Sequence, residues 1–538
     1  MKKLLNFSIL ILLLTTVTSC KKSYLDINEN PNATTASTPE LTLPTALNAT
    51  ASLMVTYHDY GSFLNGYMAN AGGYSYTGST TITYNFTNGS NNGLFSTAFL
   101  NLADYQYIID ETATDADYVL FNAAARIMKS YTYQRLVDEY GDVAYTEALK
   151  GQTVLTPKYD DAATIYEALI TDLDACILQL QTANASSSTT INGLSTSDVM
   201  FGGDVTKWIQ FANNLKLRLL TRARISSISA FVTTEFNTFS AEGFLTEDVI
   251  IDPGFSSSAA KQNPMWNTYH STYDGTVTGT GKSRIPSTYV MAFYNGIKLT
   301  DEKRGELTYK NYGSTPTNQL GNESNVPSAI SNYPAWYIGV GTGTAAPDAQ
   351  GILKSRTMGQ IIFPASETYF LLAEAALNGY TLSGNAESNF NNGIAAAFAY
   401  LEKLGSTNTV SGSPATDALS YQTENADSYL ANYTLATSYA QRLEAIITQK
   451  YIALNFIDGY EAWTEFRRTT YPAIVNGSTV DTESFASLQS ASTRVDKLPL
   501  RGLYPQTEVN LNPNVPAGLN VFTNKIFWDP ASDSPATN

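Results

Sequence analysis

The sequence predicts a mostly α-helical protein in which four helical hairpins form a scaffold and one large, loop-rich insertion interrupts them. Three observations predict it. Apolar residues return every three or four positions through long stretches near 94–142, 160–225, 363–405 and 436–470, the spacing of a buried helix stripe. A turn or polar loop divides each stretch into two. Between the second and third stretches, over about residues 226–360, Gly, Pro, Asn, Ser and Thr replace the periodicity. Irregular backbone on that scale is more often functional than merely connecting.

At the N-terminus, Lys2 and Lys3 precede the apolar run Leu4–Leu14, and small polar residues lead to Val17, Thr18, Ser19 and Cys20. A basic segment, about ten apolar residues and a small-residue cleavage region make a secretory signal over residues 1–19. The run is too short to span a bilayer, which takes roughly 20 apolar residues. Val17 to Cys20 resembles a bacterial lipobox, so Cys20 is expected to begin the mature chain and carry lipid. Acyl chains anchor through about 0.8 kcal/mol per buried CH₂. Residues 20–44 lack periodicity and are expected to form a tether, leaving 45–538 as one domain. Cys176, the only other cysteine, lies in DLDACILQL and is expected to be a small buried hydrophobe.

Leu120, Ala124, Ile127 and Tyr131 form the stripe of the first hairpin, with Gly141 as its stop. Ile165, Leu169, Leu173 and Ile177, answered by Trp208, Phe211, Leu215 and Leu219, make the second. In the third, Tyr369, Leu372, Ala373 and Ala376 face Phe390, Ile394, Ala397 and Leu401, with Gly379 between them. The fourth carries Leu443, Ile447, Tyr451 and Leu454 and stops at Pro472. No stretch reads as a transmembrane helix. Lys207, Lys216, Arg218, Arg222 and Arg224 are expected to pair with acidic neighbours or face solvent, as are Arg467 and Arg468.

Only 15% of residues are charged, and 48 acidic against 32 basic side chains give a net charge of −16. Affinity for nucleic acid comes from Lys and Arg displacing phosphate counterions, so this balance argues against it. Two His and two Cys in the whole chain exclude a Cys/His zinc site, and no metal or other cofactor is expected. A polar but mostly uncharged surface with 35 Tyr suits neutral, hydroxylated ligands.

Neutral sugars stack their C–H faces on aromatic rings while amides and carboxylates take the hydroxyls. The informative aromatics are therefore those in loops: Tyr74 and Tyr76, with Tyr84, in AGGYSYTGSTTITYNF; Trp266, Tyr269 and Tyr273 beside Asn263, Asn267, His270 and Asp274; and Trp336 and Tyr337, with Tyr333, in NYPAWYIG. Each could equally pack its own loop onto the scaffold. Trp208 and Trp463 sit on helix faces and Trp528 in a terminal packing motif, so these three are poor candidates. His58 is expected to be a packing residue. The catalytic signatures HExxH, GxSxG, Walker A and EF-hand are missing, and no enzyme is predicted.

CKKSYLDINENPN, LVDEYGDVAYTEAL, DVMFGGDVTKWIQFANNLKLRLLTRAR, SETYFLLAEAALNG, KYIALNFIDGYEAWTEFRRTTYP, LPLRGLYPQTEVNLN and KIFWDP occur in this order along nearly the whole mature chain. Together they resemble the SusD/RagB-like outer-membrane lipoproteins of Bacteroidetes, in the SusD-like, starch-binding-associated branch. Ala144 stands where that family often has Pro. The resemblance implies four TPR-like hairpins forming a curved scaffold, with the insertion carrying the ligand face. It also implies a glycan ligand, a SusC-like TonB-dependent transporter as partner, and lipid anchorage in the outer membrane at the cell surface. Peptide or glycopeptide capture is the alternative within the family. Outside it, the alternatives are a protein-binding scaffold or a glycoside hydrolase.

Overall fold

Ten helices longer than ten residues carry the fold in the computed structural model, which describes residues 37–71, 79–324, 326–327, 335–336, 349–405 and 407–530. The signal region, Cys20, Tyr74, Tyr76, Tyr333 and Tyr337 lie outside the described residues. The helices are α1 (Pro39–Leu64), α2 (Asn92–Thr112), α3 (Val119–Tyr140), α4 (Ala162–Ala185), α5 (Val205–Ala223), α6 (Ala365–Leu377), α7 (Ala386–Glu402), α8 (Pro414–Glu424), α9 (Tyr439–Leu454) and α10 (Gly459–Thr469). Five of the ten starts carry side-chain caps: Asp161, Asp204, Ser438 and Asp458 each accept a backbone N–H of the first turn, and Asn385 and Ser388 cap α7 reciprocally. Helix α3 ends at Gly141, whose φ of 72° favours glycine. No helix among the described residues is long and apolar enough to cross a membrane.

Neighbours in sequence pack together from α1 through α7. Helix α9 then lies on α6, α8 on α7, and α10 returns to α1. Helix α1 corrects the expected tether, because it begins at Pro39, within residues 20–44. Proline at the first helical position is pre-organised there, and Leu43, Leu47, Thr50, Met54, Tyr57 and Gly61 are buried along the helix. At Gly61 a Cβ would collide with the backbone of Gly459 and Tyr460. That close approach lets the Asn65 amide donate to the Gly459 carbonyl at 2.8 Å and the Gly459 N–H donate to His58 Nδ1 at 3.1 Å.

Strand content is small among the described residues. Strands β1 (Met68–Asn70) and β3 (Arg284–Pro286) pair antiparallel, Ala69 opposite Ile285. Strands β2 (Val249–Ile251) and β4 (Gln360–Phe363) pair antiparallel, Ile251 opposite Gln360. The first pair ties the middle of the insertion to the segment that follows α1, and the second brings the two ends of the insertion together.

The basic residues of α5 and α10 are mostly buried and paired. Lys216 Nζ meets Asp174 and Glu235 at 2.7 and 2.8 Å. Arg218 grips Glu367 through Nε and Nη2. Arg222 binds Asp138, Glu461 and Glu465, Lys450 joins Glu367, Glu461 and Glu465, and Arg468 binds Glu374 and Glu465. Burial opposes the charge of Glu461, yet Arg222, Lys450, Arg218 and Arg135 hold its carboxyl well below the usual range. Trp208, Trp463, Trp528 and Cys176 are buried too, and burial pushes the Cys176 thiol up.

Candidate functional site

Helix α1 and the insertion enclose a cleft of about 560 Å³. Thr56, Asp59, Tyr60 and Phe63 of α1 form one wall, Phe86, Asn91 and Leu94 the next, and Pro264, Asn267, Thr268, Thr280 and Arg284 of the insertion the opposite one. A cleft with apolar and aromatic walls and a few convergent polar groups is the usual form of a small-ligand site. Ser79 caps the short helix Thr80–Thr83, which supplies Thr81 to the cleft.

Asp59 is the polar centre. Its Oδ1 accepts from Tyr269 Oη at 2.9 Å and from Arg284 Nε at 3.1 Å, and its Oδ2 accepts from Arg284 Nη2 at 3.0 Å. Both partners remain partly exposed, 14% for Arg284 and 29% for Asp59. The Arg284 guanidinium also lies 5.2 Å from the Phe63 ring centroid, a cation–π distance. Behind the wall, Tyr60 donates its hydroxyl to the buried Glu139 at 2.7 Å and lies edge-on to Trp463. Its ring is therefore held rigidly beside the cleft.

A six-residue helix, Pro264–Tyr269, decides which insertion residues reach this space. Asn263 caps it by accepting from the Trp266 N–H at 3.0 Å and anchors it through the Met358 carbonyl. The roughly 100° step per helical residue turns Asn267 out while Trp266 and Tyr269 turn in. Trp266 is 4% exposed and stacks on His270 at 4.0 Å, and Tyr269 is fully buried.

The expected exposed aromatic platform is thus corrected at Trp266, Tyr269 and Trp336. Trp336 is fully buried, 4.1 Å from Phe456 and paired with Tyr309. Tyr84 is buried as well. His270 is 7% exposed, hydrogen-bonded through Nδ1 to Ser271 Oγ at 2.7 Å, and held neutral by burial, with a pKa of about 4. Tyr273 is 54% exposed but lies outside the cleft lining. Tyr269 acts on the site indirectly, by fixing Asp59. Sequence reasoning missed Asp59, Tyr60, Phe63 and Arg284. The available signal was HDYGSF, a carboxylate between aromatics in a charge-poor chain.

His58, expected to pack, is fully buried; burial lowers its pKa to about 4, against Asp458 and Asp59. Asp59 is the sole carboxylate lining the cleft among the described residues.

Fold and cleft together define a helical scaffold that presents a polar and aromatic cleft. The chain belongs to the SusD-like family: residues 31–505 match its model, described as "starch-binding associating with outer membrane". Solved structures share the fold. A chitin-binding SusD homolog from Flavobacterium johnsoniae is 20% identical, with TM-score 0.64 over 91% of this chain and 99% of that one. A SusD homolog from Bacteroides uniformis is 22% identical, with TM-score 0.63 over 91% and 99%. A SusD-like protein from Bacteroides thetaiotaomicron is 20% identical, with TM-score 0.66 over 91% and 100%. No curated protein matches the chain.

Proposed function

We propose that this protein is a non-catalytic lipoprotein that captures a neutral oligo- or polysaccharide in the α1–insertion cleft and delivers it to a SusC-type TonB-dependent transporter. Cys20 carries the lipid that anchors it to the outer membrane, facing outward. The observation that carries the reading is the Asp59–Arg284 pair, which offers a hydroxyl acceptor and donors beside Tyr60, Phe63 and Phe86 without net charge. Family membership and the chitin-binding relative support a glycan as the ligand.

The test is affinity electrophoresis of the mature protein against a panel of neutral glycans. At least one is retained, and Asp59→Ala weakens retention about tenfold, or about 1.4 kcal/mol, with the thermal midpoint preserved. Release of shorter sugars would overturn the non-catalytic reading. Binding of peptides with no glycan retained would favour peptide capture instead.

A further inference from the structure

Tyr60 lines the cleft together with Phe86, whose ring centroid is 5.8 Å away. Behind it the ring lies edge-on to Trp463 and stacked on Tyr460 at 6.5 Å. The second side-chain torsion of a tyrosine has a broad minimum, so these neighbours bound the tilt of the ring without fixing it. The hydroxyl fixes it, by donating to Glu139 Oε1 at 2.7 Å. Glu139 stands in the last turn of α3, is 1% exposed and does not itself line the cleft. Arg467 and Arg501 face its carboxyl, and the Tyr460 hydroxyl lies beside it.

A third segment presses on the same carboxyl. Residues 498–504, LPLRGLY, cross the C-terminal end of α3. There the Gly502 N–H donates to the Glu139 main-chain carbonyl at 3.3 Å, and Tyr504 Oη and Arg501 Nη2 both donate to the Tyr140 carbonyl. A Cβ at Gly502 would lie 2.4 Å from Glu139 Oε1, the oxygen that accepts from Tyr60. Non-bonded heavy atoms pack at roughly 3.5 Å, so any side chain at position 502 would drive that oxygen from its place and lengthen or bend its bond to Tyr60. Gly502 does not have a positive φ. The position therefore demands smallness and not backbone freedom.

We propose that Glu139 is a positioning residue of the cleft, setting through the Tyr60 hydroxyl the ring on which the ligand stacks, and that Gly502 keeps Glu139 in place by leaving it room. The proposal rests on the reading of the cleft as a glycan site and deepens it. A ring aligned before the sugar arrives gives its full contact, whereas a ring free to tilt must first be ordered, which weakens binding. The affinity of a cleft built on the first described helix is in this way set by a segment near the other end of the chain.

Tetranitromethane nitrates tyrosines whose phenol can ionise, and peptide mass spectrometry reads each ring separately without any ligand. In the mature protein Tyr60 reacts slowly and the exposed Tyr273 quickly. Gly502→Ala and Glu139→Ala each speed nitration of Tyr60 at least fivefold, while the fully buried Tyr57 stays unreactive and reports that the fold is kept. Should Glu139→Ala lose its fold, Gly502→Ala decides. Unchanged reactivity of Tyr60 in a folded variant overturns the proposal. With a neutral glycan that the wild type retains in affinity electrophoresis, Gly502→Ala and Tyr60→Phe each weaken retention about fivefold, and the double variant is no weaker than either, the non-additivity of one shared contact. Glu139→Gln, whose amide oxygen still accepts from Tyr60, stays within twofold of wild type. Additive losses in the double variant, or a loss in Glu139→Gln as large as that in Gly502→Ala, overturns the positioning role. If the wild type retains no glycan, the reading of the cleft falls, and nitration by itself still decides whether Glu139 holds Tyr60.

Discussion

In the helical scaffold Arg222 meets Asp138, Glu461 and Glu465 with all four side chains 3% exposed or less. Across the cleft Arg284 meets Asp59, and solvent reaches both. The same chemistry therefore serves opposite ends. In the scaffold, each charge has lost its hydration and is held by fixed partners, so the network constrains how α3, α5, α6, α9 and α10 meet. In the cleft, the pair keeps part of its hydration and can exchange water for a ligand hydroxyl at little net cost. Rigidity is placed beneath the cleft, and exchangeable polarity on its wall.

The largest expected effect attacks the buried side of this contrast. Arg222→Ala leaves three buried carboxylates under-compensated and lowers stability by about 3–5 kcal/mol, read as a shift of the urea midpoint. A loss below about 1 kcal/mol would place Arg222 in the weak class of surface pairs. Trp336→Ala follows at about 3 kcal/mol, because it empties a fully buried site against Phe456. Lost glycan affinity at unchanged stability would restore Trp336 to the ligand face.

Acid tests the scaffold where α1 meets α10. Buried His58 has its pKa lowered to about 4 from a usual 6.5, so the unfolded chain takes up the proton first. Stability is then complete above pH 6.5 and falls as pH drops toward 4, by roughly 3 kcal/mol in total. His58→Gln flattens that part of the curve; an unaltered profile would assign the acid sensitivity elsewhere. The smallest effect is expected at the exposed Tyr273. Tyr273→Ala changes stability by no more than about 0.5 kcal/mol and leaves glycan affinity within twofold, whereas a tenfold loss of affinity would extend the binding surface beyond the cleft.

The helices were legible wherever an apolar stripe repeats, and the stops at Gly141 and Gly379 follow from turn chemistry. Helix α1 was not legible, because Pro39 and Pro44 read as breakers in a Thr- and Asn-rich stretch while its burial depends on α2 and α10. Periodicity also could not show that α5 and α10 are enclosed on nearly every side, since Arg218, Arg222, Glu461 and Glu465 look like surface residues until their partners are known. The site was half legible. The segment around Asn263–Asp274 was singled out by its aromatics and amides, but a single short helix turned the amide of Asn267 toward the cleft and the rings inward. Asp59 and Arg284 are 225 residues apart, and nothing local to either announces the other.

The clasp at Gly61 and Gly459 also has a consequence in time. Asn65 and its partner Gly459 are separated by 394 residues, so at 5–20 residues per second the first helix is made roughly 20–80 s before the helix that covers it. Through that interval Tyr57 and Gly61 of α1 have no Tyr460 of α10 to rest on. The earliest of the described helices is thus among the last to be completed, and a nascent or partly exported copy offers chaperones a defined apolar handle.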